Sequence, residues 1–505
     1  MSDAAVGANW TRSLRQLLDG LVDVEVPDCE IDFVTLDSRQ VKQGALFLAT
    51  SGIKRHGLEF LDQVWAGGAC AVAYEPDANL ALPELPADRI CVPVPDLSAH
   101  AGTIAARFFD QPSKAMPVCG VTGTNGKTTT AHLIATALRF VGRRCGQMGT
   151  LGFGLHEPLT SSALTTPDAV ALQQRLAWIR EQRATHMVME VSSHALDQER
   201  VAAVAFDCAV FTNLSRDHLD YHPDVEHYAH TKKRLFTDFP LAHAVINIDD
   251  PVGLELAGQL KNKMLVTTVS TRTEQLDNVD CHLFAHSIET HPQGLRLHIN
   301  GTAGTAVIES RLLGRFNAHN LLCALGVMLH WQVPLDQAAT SLSCVGSPPG
   351  RMEIFGRNND ARIVVDYAHT PDALNNAVAA LKEHCTGDLW CVFGCGGDRD
   401  KGKRPRMAHA AAAADHIIIT NDNPRHEDPQ AIIDDILAGF TDRRRVQVES
   451  DRKVAIGIAV DAAGVGDIVL IAGKGHEDYQ IVGAQKLPMS DRDIVTQHLR
   501  EHQHV

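Results

Sequence analysis

The chain has 505 residues, which at about 150 residues per domain points to three domains and excludes a single small binding module. It carries 46 Lys plus Arg against 61 Asp plus Glu, a net charge of −15, and the lack of a basic tract excludes a general nucleic-acid binder. With 45% hydrophobic and 21% charged residues the composition lies far from the disordered regime, and the length is enough for several cores.

At the N-terminus, MSDAAVGANWTRSLRQLLDG lacks the basic flank, apolar block and small-residue cleavage site of a secretory signal. The longest apolar stretches, such as Ile468 to Ala472, are far shorter than a membrane span requires. A cytoplasmic chain without membrane insertion is expected. The 12 cysteines contain no C-x-x-C pair and are expected to be reduced, with neither a disulfide framework nor a zinc site indicated. The 26 histidines likewise show no H-E-x-x-H pattern, so zinc is the weaker reading.

The fold class expected is α/β. Residues 1–112 offer isolated strands (AVAYE, RICVPV) and a polar turn at SGIKRHG, the pattern of a smaller α/β domain. A break at Gln111-Pro112-Ser113 opens a second domain, 113–346, and Ser347-Pro348-Pro349-Gly350 opens a third, 347–505. From Met116 onward short apolar runs alternate with helical patterns, which predicts parallel sheets. In the last domain Leu374, Ala377, Val378 and Leu381 fall on one helix face. The polar motifs sit where strands end: MPVCGV runs into TGTNGKTTT, HMVMEV into SSHALDQER, DCAVFTNL into SRDHLDYH. IVVDYAH, LWCVFGCGGDRDKG, HIIITNDNPR and IVLIAGKGHE repeat the arrangement. Open α/β sheets bind ligands beyond the carboxyl ends of their strands.

Gly123-Thr124-Asn125-Gly126-Lys127-Thr128-Thr129 follows a strand and opens a helix. Its backbone N–H groups and the helix N-terminus suit phosphates, Lys127 neutralises them, and Thr128 offers a hydroxyl to Mg²⁺. The strict phosphate-loop spacing is missed, because Val121 occupies the first glycine position and glycines stand at 120 and 123. ATP as co-substrate is the reading.

These motifs resemble the ATP-dependent Mur ligases of peptidoglycan synthesis. LDSR (36–39), GTNGKTT, MEVSSHAL, TNLSRDHLDYH, GRFNAHN, GRMEIF, DYAHTPDAL, GCGGDRDKGKRP, DNPR and AGKGHEDYQ occur in order along nearly the whole chain, in the form of the branch that adds the third peptide residue. The resemblance implies a uridine-nucleotide-binding N-terminal domain, a central P-loop ATPase-like domain and a C-terminal Rossmann-like amino-acid-binding domain. It implies that ATP phosphorylates the D-glutamate side-chain carboxylate of UDP-MurNAc-L-Ala-D-Glu, and that an amine of meso-diaminopimelate attacks the acyl phosphate. By the same resemblance Glu190, His218 and Lys232 hold Mg²⁺, Lys232 as a carbamate formed with carbon dioxide; the residues alone do not separate Lys232 from Lys233. Asn320, Arg351 and Asp366 become nucleotide-side groups. Leu36, Ser38 and the turn Ile53-Lys54-Arg55 hold the uridine nucleotide, and Thr165, Thr166, Ser192, Gln198 and Arg200 the muramyl dipeptide. Leu164 stands where a relative carries Asn, so that side-chain hydrogen bond is lost. Arg399, Asp422, Asn423, Pro424, Arg425, Gly473 and Glu477 form the diaminopimelate pocket, with Arg425 pairing the distal carboxylate and Glu477 an ammonium. The partners implied are small molecules alone, with a monomeric chain. The competing readings are a lysine-adding ligase, which Arg425 disfavours; a folylpolyglutamate-type ligase, which the LDSR-bearing domain disfavours; and an ATP-driven switch, which leaves DNPR and AGKGHE unexplained.

Overall fold

The computed structural model describes residues 10–52, 55–76, 89–272, 279–356 and 360–501, and the chain folds into two compact units. The first holds the described chain through Val269, residues 279–282 and Gly326–Val333; the second holds 270–272, Leu283–Leu325 and the chain from Pro334.

In the first unit β-branched and small apolar residues form strands buried on both faces, as parallel sheets covered by helices require. Strands β1 (Phe33–Thr35), β2 (Ala45–Ala49), β3 (Ala69–Tyr74) and β4 (Ile90–Pro93) make a parallel four-stranded sheet in chain order. The AVAYE and RICVPV strands are thus β3 and β4. A larger sheet follows, built from β5 (Val118–Thr122), β6 (Cys145–Gly149), β7 (Gly152–Gly154), β8 (His186–Glu190), β9 (Cys208–Phe211), β10 (His243–Asn247) and β11 (Leu265–Ser270). Its order is β11-β10-β9-β5-β8-β6-β7, parallel except for β7. β5 is central. Helix α1 (Lys127–Phe140) leaves its carboxyl end, and α2 (Val225–Thr237) packs nearby. Side chains such as Val118, Met187, Met189, Ala209 and Phe211 fill one core, all at 0% exposure.

In the second unit β13 (Gly294–Gly301) pairs antiparallel with β12 (Cys281–His291) and β14 (Gly304–Ser310), and helix α3 (Asn317–His330) follows. The last sheet has the order β15-β16-β20-β17-β18-β19, from Glu353–Phe355 (β15), Arg362–Asp366 (β16), Leu389–Phe393 (β17), His416–Ile419 (β18), Val446–Val448 (β19) and Ile468–Ala472 (β20). Only β15 runs antiparallel. Helix α4 (Pro371–Lys382) buries Leu374, Ala377, Val378 and Leu381, the four residues its periodicity selects. Helices α5 (Arg452–Ala462) and α6 (Asp491–Glu501) pack against each other, and β21 (Tyr479–Val482) and β22 (Gln485–Pro488) form a hairpin between β20 and α6.

One expectation is corrected. Cys29 and Cys70 are disulfide-bonded, so the twelve cysteines are not all reduced. The partners lie 41 residues apart and meet because a short strand at Glu30–Ile31 packs against β3, a long-range contact that spacing along the chain does not reveal. No helix among the described residues is long and apolar enough to cross a membrane.

Candidate active site

β5 ends at Thr122, and Gly123 turns the chain at φ +141°, where a Cβ would stand 1.9 Å from Thr212 Oγ1. Only glycine fits. Gly126 (φ +86°) then starts α1. The loop is braced from the end of β9: Asn213 Oδ1 accepts the Asn125 N–H (2.9 Å), Thr212 Oγ1 donates to Asn125 O (2.6 Å), and the Ser215 N–H donates to Thr124 Oγ1 (3.0 Å). Thr212, Asn213 and Ser215 were not singled out from sequence, although TNLS follows the strand beside β5. Lys127 Nζ donates to Gly123 O (2.9 Å) and Thr124 O (2.8 Å), so its charge lies across the loop; Thr129 follows on the first turn of α1.

Glu190, at the end of β8 and only 2% exposed, accepts from Thr128 Oγ1 (2.9 Å), the Thr150 N–H (2.8 Å) and Thr150 Oγ1 (3.2 Å). Gly149 makes room, since a Cβ there would lie 2.1 Å from Glu190 Oε1. Among the described residues no Lys, Arg or His side chain pairs with this buried carboxylate, which fits a bound divalent cation. Lys232, 1% exposed, comes up from α2 to donate to Gly123 O (2.8 Å) and lies 4.6 Å from the Tyr228 ring centroid. Burial, with the nearby Lys127 charge adding to it, pushes the Lys232 amine well below the usual lysine range and so favours its neutral form. Lys233 instead forms a pair with the exposed Glu255 (2.8 Å). The two adjacent lysines are thereby distinguished, and only Lys232 lies beneath the phosphate loop. His218 sits at φ +53° with its ring against those of His194 and Tyr228, and Tyr228 OH in turn meets Thr124 Oγ1 (3.3 Å).

Beside Glu190 the structure joins the residues expected at the muramyl dipeptide. Thr165 Oγ1 meets Thr150 Oγ1 (3.1 Å), and Thr166 Oγ1 donates to Glu190 O (2.9 Å) and accepts the Ser192 N–H (3.2 Å). Arg200 donates to Thr166 O (3.0 Å) and to Gln198 Oε1 (3.1 Å), while Gln198 Nε2 donates to Tyr221 OH (3.1 Å). Arg200 is therefore anchored, and the Leu164 side chain is exposed. Farther away, the half-buried Leu36 packs on the core of the four-stranded sheet, and Ser38 Oγ contacts Gln63 Oε1 (3.3 Å). Arg55 pairs with Glu59 (2.8 Å); Ile53 and Lys54 lie outside the described residues.

In the second unit, DNPR leaves β18 and AGKGHE leaves β20, two strands separated only by β17. Arg425 adopts φ +52°, with its backbone bonded to Ile481 O (3.0 Å) and Gly483 N (2.7 Å), and its guanidinium donates to Gly397 O (2.8 Å). A Cβ at Gly396 would lie 2.8 Å from Arg425 Nη1 and 3.9 Å from Arg399 Cγ, and one at Gly397 would lie 1.9 Å from Pro424 O. The glycine pair therefore lets the two loops meet, with both arginines beside Gly396. Gly473 (φ +116°) abuts Asp422, whose Oδ2 would be 2.8 Å from a Cβ there. Asn423 Nδ2 donates to Glu477 Oε2 (3.2 Å). Thus Arg399, Asp422, Asn423, Pro424, Arg425, Gly473 and Glu477 come together at one end of the sheet. Sequence reasoning missed the supports beneath them. Arg404, fully buried, pairs with Glu427 (2.9 Å) and Asp435 (2.8 Å), and Arg452 donates to Asp491 (2.7 Å), Ala472 O (2.9 Å) and Asn421 O (3.5 Å). Asp366, at the end of β16, accepts the Met352 (2.8 Å) and Ala368 (2.9 Å) N–H groups; desolvation holds its carboxyl above the usual range against the opposing pull of Arg351. Arg351 lies over Tyr367, 4.6 Å from the ring centroid, and Asn320 bonds to Asn317 on α3 (2.8 Å).

One His/Cys/Asp group lies elsewhere, at the amino ends of the large sheet's strands: ligand atoms of Asp207, Cys208 and His330 fall within 4.8 Å of one another. Asp207 Oδ2 there already accepts from His330 (2.9 Å) and Trp331 (2.8 Å).

Comparison with known proteins finds three family matches in succession: residues 30–109 to the Mur ligase family catalytic domain, 121–328 to the Mur ligase middle domain, and 350–475 to the Mur ligase glutamate ligase domain. The UDP-N-acetylmuramoyl-L-alanyl-D-glutamate–2,6-diaminopimelate ligase of Coxiella burnetii is 45% identical over 95% of this chain and 97% of its own. The ligase of that name from Alkalilimnicola ehrlichii is 45% identical over 97% and 99%. A solved structure bearing the same enzyme name superimposes with a TM-score of 0.71 at 35% identity, covering 98% of this chain and all of that one.

Proposed function

Because the chain belongs to the Mur ligase family, we propose that it is the ATP-dependent ligase joining meso-diaminopimelate to the D-glutamate side-chain carboxylate of UDP-MurNAc-L-Ala-D-Glu. The observation that carries the amino-acid choice is the anchored Arg425, a guanidinium held by the Gly397 and Asn423 carbonyls in the same loop whose Asn423 side chain donates to Glu477. A carboxylate at the far end of the incoming amino acid suits that guanidinium, and an ammonium suits Glu477.

The γ-phosphoryl group passes from ATP to a carboxylate oxygen: the bond to ADP breaks and an acyl phosphate forms. The neutral amine of diaminopimelate then attacks the acyl carbon, a C–N bond forms, phosphate leaves and the amine loses a proton. The phosphate loop binds the nucleotide through its N–H groups, and Lys127 neutralises the transferring charge. Thr165, Thr166, Ser192, Gln198 and Arg200 orient the acceptor beside Glu190. Thr128, Glu190, His218 and Lys232 as a carbamate would hold Mg²⁺, which supplies charge neutralisation at the phosphates. A neutral Lys232 amine is the form that reacts with carbon dioxide, which supports the carbamate. Asn320, Arg351 and Asp366 belong to the nucleotide side, and Leu36, Ser38 and the 53–55 turn to the uridine nucleotide. The domain limits 1–112, 113–346 and 347–505, a monomeric chain and a cytoplasmic reaction complete the proposal.

ADP release measured with each substrate omitted in turn tests it. Turnover is expected only when ATP, the muramyl dipeptide nucleotide and diaminopimelate are all present; release independent of amino acid would mark an ATP-driven switch, and equal turnover with lysine a lysine-adding enzyme.

A further inference from the structure

The lysine of AGKGHE has no role in the reading above, yet it is among the most deeply buried charged side chains of the second unit. Lys474 is 0% exposed. Its ammonium donates to Glu477 Oε2 (3.2 Å) and Asn423 Oδ1 (3.3 Å) and lies 5.5 Å from the Tyr479 ring centroid. Asn423 closes the triangle. Its Oδ1 also accepts the Ile481 N–H (2.9 Å), and its Nδ2 donates to Glu477 Oε2 (3.2 Å). The amide orientation is thereby forced, because a flipped amide would point its NH₂ at an ammonium and at a backbone N–H. Two donors occupy Glu477 Oε2, and among the described residues none is recorded on Oε1.

We infer that Lys474 is a positioning residue that fixes Glu477 and Asn423 so that Glu477 Oε1 faces the ammonium of the incoming amino acid, an inference resting on the diaminopimelate reading above. Charge balance adds to the geometry. Arg399, Arg425 and Lys474 stand against Asp422 and Glu477, three cations against two anions, a surplus positive charge that suits the distal carboxylate of the incoming amino acid. Without Lys474 the pocket loses one of its three cations, and Glu477 loses the donor that holds Oε2 in place.

The test is steady-state kinetics of wild type, K474R, K474M, E477Q and the K474M/E477Q pair, which leaves no unpaired charge buried at this position; thermal unfolding of each checks folding. K474M is expected to raise KM for diaminopimelate roughly 10- to 100-fold, the worth of a hydrogen-bonded charge, with kcat and KM for ATP within about threefold. K474R should recover part of the loss, and on the E477Q background K474M should add little. An unchanged KM for diaminopimelate in K474M, or a full additional loss on the E477Q background, would overturn the inference. If wild type shows no diaminopimelate-dependent turnover, this inference and the functional reading fall together. If wild type turns over and the variants match it, only the role of Lys474 falls.

Discussion

Lys232 and Lys233 are neighbours in sequence with opposite environments, one buried beneath the phosphate loop and one in a surface pair with Glu255. Lys232→Ala should lose roughly 100-fold or more in kcat, the scale of removing an electrostatic stabiliser from a transition state, while Lys233→Ala stays close to wild type. A small carboxylic acid should restore part of the Lys232→Ala activity by supplying oxygen ligands; equal losses in the two variants would remove the distinction. Arg425 calls for a different measurement. Losing the partner of a buried charge-assisted pair costs about 2 to 5 kcal/mol, or about 30-fold to several thousand-fold. Arg425→Ala should narrow the kcat/KM preference for diaminopimelate over lysine by that factor, chiefly by weakening diaminopimelate use. An unchanged ratio would show that Arg425 does not read the distal carboxylate. At this scale the motif residues were legible because glycine, lysine and arginine at strand ends have few structural uses. Lys474 and Thr150 were not, since a lysine inside a motif and a threonine in a turn reveal nothing of their burial until the strands are paired.

The parallel strands were readable as apolar runs, and each polar motif follows the strand that presents it. The buried face of α4 was readable as well, but the support that α5 and α6 give was not, because it is made through contacts with distant loops. Arg452 on α5 and Asp491 at the start of α6, both fully buried, form a bidentate pair. Arg452 also reaches the carbonyls of Asn421 and Ala472, the residues that precede DNPR and GKGHE. The 39 residues separating the pair hide it from any local pattern. Asp491→Ala leaves a buried guanidinium without its anion and should cost about 3 to 5 kcal/mol, read as a lower denaturant midpoint. Replacing both partners by Met and Leu should cost much less. A loss below about 1 kcal/mol in the single variant would mean that the pair does not hold the two loops.

For the whole molecule, stability should depend on pH through histidines kept neutral by the fold. Burial pushes His243 down to about 4, with the His330 charge adding to it and Asp207 and Asp280 opposing. His186 falls to about 4 through burial and Arg143, against Asp207. Both take up protons more readily in the unfolded chain, so their contribution is complete above about pH 6.5 and is lost as pH falls toward 4. For the buried His243 the loss is on the order of 3 kcal/mol; for the half-exposed His186 it is smaller. Urea midpoints at pH 7 and 4.5 should differ accordingly, and His243→Gln should reduce the difference; a midpoint flat across this range would contradict the assignment. The three-part organisation was visible in the chain length and in proline-rich breaks, whereas the Cys29–Cys70 bond and the grouping into two compact units depend on contacts distant in sequence. The central claim is that one amide bond is made from these particular substrates. The most direct test is the mass of the uridine-linked product after incubation with ATP, Mg²⁺, UDP-MurNAc-L-Ala-D-Glu and an equimolar mixture of diaminopimelate and lysine. A gain of one diaminopimelate less one water, with one ADP formed per product, is the predicted result; a gain corresponding to lysine, or ADP formed with no change in product mass, would contradict it.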